Sequence, residues 1–360
     1  MLIQTKILKN ALSKIAGIVP TKATTPILEN VLFEFNDYSL KISATNLDVC
    51  GCVFVPYEKI LPNFCLNAKR LYDTVKMIED EEIEFTLKEN YKLTIKTLKG
   101  EYKLTAENPE DFPKPPTLEK TEIIKHENFF NKIKKVIYAA STNELKPALT
   151  GVFCGKDVVA TDGFVLSVIP SSEGLDDSDV SPSKGIEINI PAQTLGFILK
   201  FANEITEIQA NEKLVQFDFK NENFNYCIIS KLIDETFPDY KVIFNQDYCD
   251  RIFANRTELL NTLSRLRIFA NPASRQIRIS FAENLKIQTE DADMGAEAFE
   301  TLKVKLEGKQ IIIGFNADYV IKTLNAMTDE EITIEYREPT KGVIFEGVGH
   351  KCVVMPVRLN

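Results

Sequence analysis

The 360-residue sequence contains no tryptophan and only two histidines, His126 and His350. Because histidine is the side chain that changes charge near neutral pH, the sequence offers few candidate residues for acid–base catalysis. No apolar run approaches the roughly 20 residues that a membrane-spanning helix needs. The first residues, MLIQTKILKNALSK, also lack the basic, apolar and small-residue regions of a signal peptide. These absences predict a cytoplasmic protein with no membrane partner.

Sequence motifs for catalysis and metal binding are missing as well. No GxxxxGK loop or GxSxG elbow occurs, and Gly347-Val348-Gly349 precedes a strand pattern rather than a phosphate-binding helix. Asp291-Ala292-Asp293 does not begin a calcium loop, because Leu302 stands where that loop needs glutamate. We therefore expect no enzymatic activity, no cofactor and no metal site.

The cysteines are seven in number and scattered along the chain. Cys50-Gly51-Cys52 is the only close pair, and a zinc site built on it would need a second pair, which the sequence lacks. We therefore interpret the cysteines as buried, reduced thiols.

What the sequence does contain is a threefold internal repeat. A short signature ending in alanine recurs at 66–68, 190–192 and 315–317, so that the alanines are 124 and 125 residues apart. Each signature precedes a predicted helix, at 69–78, 193–202 and 318–327, and then a series of alternating strands. Each copy also begins with a predicted amphipathic helix. The apolar stripes of these first helices are Leu8/Leu12/Ile15, Phe129/Ile133/Val136 and Leu259/Leu263/Leu266.

The repeat predicts an α+β fold built from three equivalent domains. We place them at residues 1–118, 119–246 and 247–360, with boundaries in the proline-rich segment 112–120 and in segment 244–251. The acidic, turn-rich segment 171–185 is predicted to be a long exposed loop inside the second domain.

The net charge of −9 argues against a nucleic-acid partner only if the charge is evenly spread. It is not, because segments 1–22, 125–143 and 254–278 hold thirteen basic and two acidic residues. Their combined charge of +11 leaves −20 for the rest of the chain. One such segment could be an ordinary solvated helix face. Three at equivalent repeat positions indicate a positive surface that binds a phosphate backbone without sequence specificity and in a salt-sensitive way.

Several segments, spread in order over the whole chain, resemble one known family. They are TTPILENVLFEF (24–35), LKPALTGVF (145–153), VVATDGFVL (158–166), LIDETFPDY (232–240), IGFNADYVIKTLNAM (313–327) and VVMPVRLN (353–360). The family is the bacterial DNA polymerase III beta subunit, or sliding clamp. The resemblance implies three DNA-clamp domains, each with two helices packed on antiparallel sheets. It also implies a head-to-tail homodimer that closes a six-domain ring around duplex DNA.

The resemblance assigns residues to the dimer interface and to the DNA surface. Tyr102 and Leu104, on an edge strand, would meet Ile268 and Phe269 of the second protomer, although any of the four could be ordinary core by its residue type alone. The DNA surface would include Lys22, Lys69, Arg70 and Asn143, together with the helix residues Lys6, Lys9, Lys14, Lys132, Lys135 and Arg265. Because residues 6, 9 and 14 lie broadly opposite the apolar stripe of their helix, we expect those three lysines to point outward.

The family also has a pocket that takes a short linear peptide from its partner proteins. Carried over by position, the pocket would be formed by Leu149, Thr161, Gly163, Phe164, Val165, Leu166, Pro238, Val242, Ile243, Asn316, Tyr319, Val353, Val354, Met355, Pro356, Val357 and Arg358. On residue type alone, 353–357 would be a last core strand. The family usually has His-Arg at Phe164-Val165 and often an arginine at Val242, so we expect a more apolar pocket here.

The implied partners are the DNA polymerase III alpha subunit, the clamp loader and other proteins with a clamp-binding motif. The implied function is to tether the polymerase to DNA and so make it processive. The alternative is a scaffold of three repeated domains that binds peptides without forming a ring.

Overall fold

The computed structural model describes residues 1–36, 39–57, 60–124, 128–170, 187–244 and 248–359. The predicted loop 171–185 and part of the predicted boundary 244–251 therefore lie outside the described residues. Within those residues the α-helices are α1 (Thr5–Ile15), α2 (Ala68–Met77), α3 (Phe129–Val136), α4 (Ala192–Ile198), α5 (Arg256–Leu266) and α6 (Ala317–Ala326). Short 3-10 helices span Pro26–Glu29, Pro109–Asp111, Ile137–Ala139, Pro147–Leu149, Leu199–Glu204, Tyr240–Ile243 and Arg267–Phe269.

The strands are short and are joined mostly by tight turns. In chain order they are β1 (Leu2–Gln4), β2 (Asn30–Phe35), β3 (Leu40–Thr45), β4 (Val49–Val55), β5 (Phe64–Asn67), β6 (Glu82–Leu87), β7 (Lys92–Lys96), β8 (Glu101–Thr105), β9 (Glu122–Ile124), β10 (Gly151–Cys154), β11 (Val158–Thr161), β12 (Val165–Ile169), β13 (Ile188–Pro191), β14 (Ile205–Ala210), β15 (Leu214–Lys220), β16 (Asn225–Lys231), β17 (Asp250–Asn255), β18 (Gln276–Phe281), β19 (Asn284–Asp291), β20 (Ala296–Lys303), β21 (Lys305–Glu307), β22 (Ile311–Asn316), β23 (Glu331–Tyr336), β24 (Val343–Gly347) and β25 (His350–Val354).

The chain folds into two compact units, each with two antiparallel sheets. The first unit, Met1–His126 with Phe197–Leu232, has a four-stranded sheet in the order β1-β6-β7-β8. Its eight-stranded sheet has the order β5-β2-β3-β4-β16-β15-β14-β9. The second unit, Glu127–Gly196 with Ile233–Asn360, has a nine-stranded sheet, β13-β10-β11-β12-β25-β24-β23-β17-β21, and a four-stranded sheet, β20-β19-β18-β22.

Two of the sheets continue from one sequence repeat into the next. Strand β4 of the first repeat pairs with β16 of the second, and β12 of the second repeat pairs with β25 of the third. The second repeat is consequently divided between the two compact units. The boundaries that we predicted from the sequence repeat remain a prediction.

The amphipathic helices pack as their apolar stripes predict. The stripe residues of α1, α3 and α5 are all at most 2% exposed. Close packing of α1 on the eight-stranded sheet needs a glycine at position 51, because a Cβ there would lie 2.6 Å from Ile18 Cδ1 and 2.7 Å from Ile15 Cγ2. The predicted helix 193–202 is regular only to Ile198 and then continues as the 3-10 segment Leu199–Glu204.

The cysteines are free thiols. Five of them are buried, as predicted, but Cys227 is half-buried and Cys249 is exposed, so the prediction of buried thiols is wrong for Cys249. No helix of the described residues is long and apolar enough to cross a membrane.

Candidate functional site

The basic face of α1 is smaller than the sequence suggests. Lys6 is exposed and Lys9 is half-buried. Both line an open cleft of about 840 Å³ whose other wall is the acidic segment 79–82. This neighbouring negative charge reduces the positive potential that these two lysines present to an anion.

Lys14 does not point outward, and our prediction for it is wrong. Its ammonium nitrogen lies 2.5 Å from Glu204 Oε1, and its side chain is only 11% exposed. The same nitrogen lies 4.4 Å from the centre of the Phe201 ring and 5.2 Å from that of Tyr226. The Tyr226 hydroxyl donates a hydrogen bond of 2.8 Å to the other oxygen of Glu204. The residue lies at the border of the buried stripe, and partners about 190 positions away in the sequence cover it.

The first turn of α2 presents Lys69 and Arg70 to solvent. The side chain of Asn67 caps this helix by accepting a hydrogen bond of 3.0 Å from the backbone N–H of Arg70. Both basic residues line an open cleft of about 520 Å³ that also contains Tyr102. The structure therefore places a residue predicted for the dimer interface beside two residues predicted for the DNA surface.

The remaining residue of the first unit that was predicted for the DNA surface is Lys22, which is exposed in the segment between α1 and β2. In the second unit, Lys132 and Lys135 on α3 are half-buried, and Lys135 Nζ lies 3.5 Å from Thr328 Oγ1. Asn143 is exposed, and its side-chain oxygen accepts a hydrogen bond of 3.0 Å from the N–H of Leu145. These residues keep the exposure or polarity that contact with a phosphate backbone requires.

The arginines of segment 254–278 are largely engaged within the protein. Arg265 donates hydrogen bonds of 2.8 and 2.6 Å to the carboxylate of Glu300, which raises the arginine pKa and lowers the pKa of Glu300. Arg267 pairs with Asp318, and Arg256 donates to two backbone carbonyl groups. The local charge of +4 is therefore partly neutralised by carboxylates that lie outside the segment in the sequence.

The predicted peptide pocket is organised around the turn between β11 and β12. The Asp162 side chain accepts hydrogen bonds of 2.7 and 2.8 Å from the N–H groups of Phe164 and Val165. Thr161 Oγ1 donates to the Val165 carbonyl at 2.7 Å. Gly163 has φ of +92°, a conformation that favours glycine. This fixed turn holds Phe164 at the surface, where its side chain is 59% exposed.

The C-terminal strand and the segment that follows it form the neighbouring wall. Leu166 pairs with Val353 in the register of β12 and β25, and the N–H of Met355 then donates to the Phe164 carbonyl at 2.8 Å. Val357 continues this wall by donating to the Gly314 carbonyl at 2.8 Å. As residue type alone indicated, Val353 and Val354 are core residues, whereas 355–357 are half-buried.

The aromatic ring of Phe164 stacks on that of Tyr319, with centroids 5.9 Å apart and planes 12° apart. Burial, Asp162 and Asp318 raise the pKa of the Tyr319 phenol, so it is a neutral hydrogen-bond donor. Val242 is 57% exposed. The structure thus provides an apolar, partly aromatic surface at Phe164 and Val242, whereas Val165, the third position where the sequence departs from the family pattern, is buried.

Other predicted pocket residues have internal roles. Ile243 packs against a buried cluster that includes Leu166 and Val353. The amide of Asn316 caps α6 through the N–H of Asp318 and donates to the Ser274 carbonyl. The rest of the set comprises Leu149, which is half-buried, and Pro238 and Arg358, which are exposed.

The predicted interface residues are unusually exposed for apolar side chains. Tyr102 is 45% exposed and Leu104 is half-buried on β8, which is an edge strand as predicted. In the second unit, Ile268 and Phe269 are 76% and 44% exposed. Edge strands and exposed apolar side chains are features that a protein normally covers with a partner.

Two exposed apolar residues near these positions were not predicted from the sequence. Met77, 82% exposed, lines the same cleft as Tyr102. Phe299, 66% exposed, lies on the edge strand β20 beneath the ammonium group of Lys286 at 4.7 Å. The alternating pattern of β20 could have indicated Phe299, but no local signal distinguishes Met77 from an ordinary helix residue.

Comparison with known proteins connects this geometry with a family. The sequence pattern of the DNA polymerase III beta subunit N-terminal domain matches residues 1–116, that of the central domain matches 123–239, and that of the C-terminal domain matches 241–358. The chain belongs to the DNA polymerase III beta subunit family. Our expectation of this family, and of three clamp domains built from antiparallel sheets and few helices, is confirmed.

Relatives match the chain along nearly its whole length. The beta sliding clamp of Pseudomonas putida is 26% identical over 99% of each chain. That of Chlamydia muridarum is 24% identical over 98% of this chain and 97% of the relative.

Solved structures of sliding clamps share the fold. The DNA polymerase sliding clamp of Bacillus subtilis has a TM-score of 0.88 at 21% identity and covers 100% of this chain and 99% of its own. The beta sliding clamp of C. crescentus has a TM-score of 0.90 at 20% identity and covers 99% of both chains.

Proposed function

We propose that this chain is a beta sliding clamp, a non-catalytic protein that encircles duplex DNA and tethers the replicative polymerase to it. The observation that carries the proposal is the match of all three domains of one family, in order, to almost the whole chain. The names of the full-length relatives agree with it. A cytoplasmic location accompanies this function.

The ring is proposed to be a head-to-tail homodimer of two three-domain chains. A contact between different surfaces of identical chains must either close into a ring or continue as a filament. Tyr102 and Leu104 on the edge strand β8 provide one surface, and Ile268 with Phe269 provides the other. Because Tyr102, Ile268 and Phe269 are exposed and Leu104 is half-buried in a single chain, dimerisation would remove apolar surface from water.

The DNA surface is proposed to consist mainly of Lys22, Lys69 and Arg70, supported by Lys6, Lys9, Lys132, Lys135 and Asn143. Arg265 contributes less because Glu300 neutralises it. Binding is independent of base sequence in this proposal, because contacts to phosphates carry no sequence information.

The surface around Phe164, Tyr319, Val242 and residues 355–358 is proposed to bind a short linear peptide. Exposed aromatic and aliphatic side chains with a few polar groups at the edge suit an apolar anchor residue. The expected partners are the DNA polymerase III alpha subunit, the clamp loader and other proteins that carry a clamp-binding motif.

A topological experiment tests the central proposal. After loading by a clamp loader, the labelled protein should remain on circular DNA and be lost from the same DNA once a restriction enzyme has cut it, because a ring can leave only through a free end. Equal loss from circular and linear DNA would contradict the ring and favour the non-ring peptide-binding scaffold. In solution the ring predicts a particle of twice the 40.7 kDa chain mass, which analytical ultracentrifugation measures.

A further inference from the structure

Three cysteines form a cluster on one face of the eight-stranded sheet. Cys50 and Cys52 are two residues apart on β4, so their side chains share a face, and Cys227 on β16 lies directly opposite Cys52. The sulfur atoms of Cys50 and Cys52 are 3.9 Å apart. Because Gly51 faces α1, the cluster lies on the face of the sheet away from that helix.

Polar and charged groups surround the cluster. Ser43 Oγ, on β3, lies 3.5 Å from Cys52 Sγ. The Lys41 ammonium, on the same strand, pairs with Glu34 at 3.2 Å. The neighbouring thiols of Cys227 and then Cys50 hold the pKa of the Cys52 thiol below its ordinary value, and the positive charge of Lys41 acts in the same direction. Cys52 and burial raise the pKa of the Cys227 thiol, and the negative charge of Asp218, on β15, raises it further. The thiolate, which is the reactive form of cysteine, is therefore favoured at Cys52.

We propose that Cys52 and Cys227 are a peroxide-responsive dithiol that closes into a disulfide across β4 and β16. Residues directly opposite on antiparallel strands have Cα atoms about 4.5 or 5.5 Å apart, inside the range of about 4.4–6.8 Å that disulfides need. Cys50 and Cys52 are two residues apart along one strand, about 6.6 Å, which is close to the upper limit. Cys227 therefore fits as the partner of Cys52 better than Cys50 does.

Cys52 supplies the reactive thiolate, and the half-buried Cys227 beside it gives the pair access to solvent. The Cys52 sulfur attacks one oxygen of hydrogen peroxide, an S–O bond forms, the O–O bond breaks, and the released hydroxide takes the Cys227 thiol proton to become water. The Cys227 sulfur then attacks the sulfenic sulfur, the S–S bond forms and the S–O bond breaks, and the second oxygen leaves as hydroxide, which takes a proton from solvent to become water. The two sulfur atoms lose two electrons to one peroxide.

The position of the pair gives the reaction a structural consequence. Strands β4 and β16 belong to different sequence repeats, and their pairing continues the eight-stranded sheet from the first repeat into the second. The disulfide would make this junction covalent, between residues that are far apart in the sequence.

The test uses the full-length protein with Cys249→Ser, which removes the exposed thiol and its intermolecular reactions. The folded protein is treated with hydrogen peroxide, its remaining thiols are alkylated, and it is digested with trypsin and analysed by mass spectrometry. We expect peptide 42–59 to be linked to peptide 221–231 and to be released by dithiothreitol, with the loss of two titratable thiols. Cys50→Ser should retain the linked peptide, and Cys227→Ser should abolish it.

Cys154 is the internal control. It is fully buried, and burial rather than another cysteine raises its pKa, so it should remain reduced. Absence of the linked peptide from the folded protein would overturn the proposal. So would a bridge confined to Cys50 and Cys52, or a yield in the folded protein no higher than in protein oxidised in denaturant.

Discussion

Lys14 is held by a carboxylate and two aromatic rings rather than by solvent. Helical spacing identified the apolar stripe correctly but could not reveal what covers its border. Glu204 and Phe201 lie in a 3-10 segment far along the chain, and single-sequence patterns contain no information about such a partner. The same limitation applies to Arg265, whose local segment contains only Glu258 whereas its actual partner is Glu300.

Replacing Lys14 should therefore affect stability. We expect Lys14→Met to lower the free energy of unfolding by about 2 kcal/mol, because it leaves the part-buried Glu204 without its ammonium partner. Lys6→Met, on the exposed side of the same helix, should change it by no more than about 0.5 kcal/mol. Urea denaturation measures both values, and equal effects of the two substitutions would contradict the buried pair.

His350 is a buried titratable residue whose pKa bears on stability just below neutral pH. Its Nε2 lies 2.8 Å from Ser167 Oγ and 3.1 Å from Cys352 Sγ, and its Nδ1 has no hydrogen-bond partner among the described residues. Burial, with a smaller contribution from Lys135, lowers its pKa from 6.5 to about 4. The folded protein therefore keeps a neutral imidazole where the unfolded chain would bind a proton.

This shift predicts acid sensitivity with a definite sign. Since the unfolded state binds the extra proton between pH 6.5 and about 4, stability is complete above that window and falls as the pH falls through it. The loss should reach about 3 kcal/mol at the lower end. Urea denaturation of wild type and His350→Gln across this range measures it. The difference in stability between the two proteins should shrink as the pH falls, and a constant difference would show that His350 is not responsible.

At the scale of single elements, helices were easier to predict than sheets. The stripes of α1, α3 and α5 depend on spacing within one segment, and the structure buries them all. The pairing of β4 with β16 depends on which strand edges meet, and alternation of apolar residues does not specify this. The end of α4 was also missed, because aromatic packing involving Phe197 and Phe201 accompanies the change to a 3-10 helix.

The turn between β11 and β12 offers a test of peptide recognition. Phe164→Ala should weaken binding of a clamp-binding peptide about tenfold, because it removes an exposed ring that stacks on Tyr319. Fluorescence anisotropy measures the affinity. Leu98→Ala is the matched control, since Leu98 is also an exposed apolar residue in a turn between two strands, β7 and β8, of a different sheet. An unchanged affinity for Phe164→Ala would remove this residue from the proposed pocket.

At the scale of the whole molecule, the charge distribution was predictable only in part. The sequence contains three positive segments at equivalent repeat positions, but carboxylates elsewhere in the chain pair with Arg265 and Arg267. Lys22, Lys69 and Arg70 are exposed, and they remain the first residues proposed for the DNA surface. The family was predictable from motifs spread along the chain, whereas the available charge depends on contacts between distant residues.

The DNA surface can be tested through its salt dependence. If Lys22 and Arg70 each neutralise one phosphate, the double variant Lys22→Glu/Arg70→Glu should reduce the slope of log K against log salt concentration by about 1.8. Titrations of duplex DNA at several salt concentrations measure this slope. Arg265→Gln should change it less, because Glu300 already pairs with Arg265. Sedimentation should show the same oligomer for all variants, and an unchanged slope for the double variant would exclude both residues from the surface.

Because sheets continue across the repeat boundaries, a single sequence repeat is not expected to be an independent folding unit. A threefold sequence repeat suggests duplication of one gene segment, yet a single copy cut out at the repeat boundaries would leave β4 or β16 as an unpaired edge. Such a fragment would be prone to pair with itself or with other chains. Recombination between relatives should therefore preserve function when both strands of the junction come from the same parent, and crossovers that separate β4 from β16 should yield poorly folded chimeras.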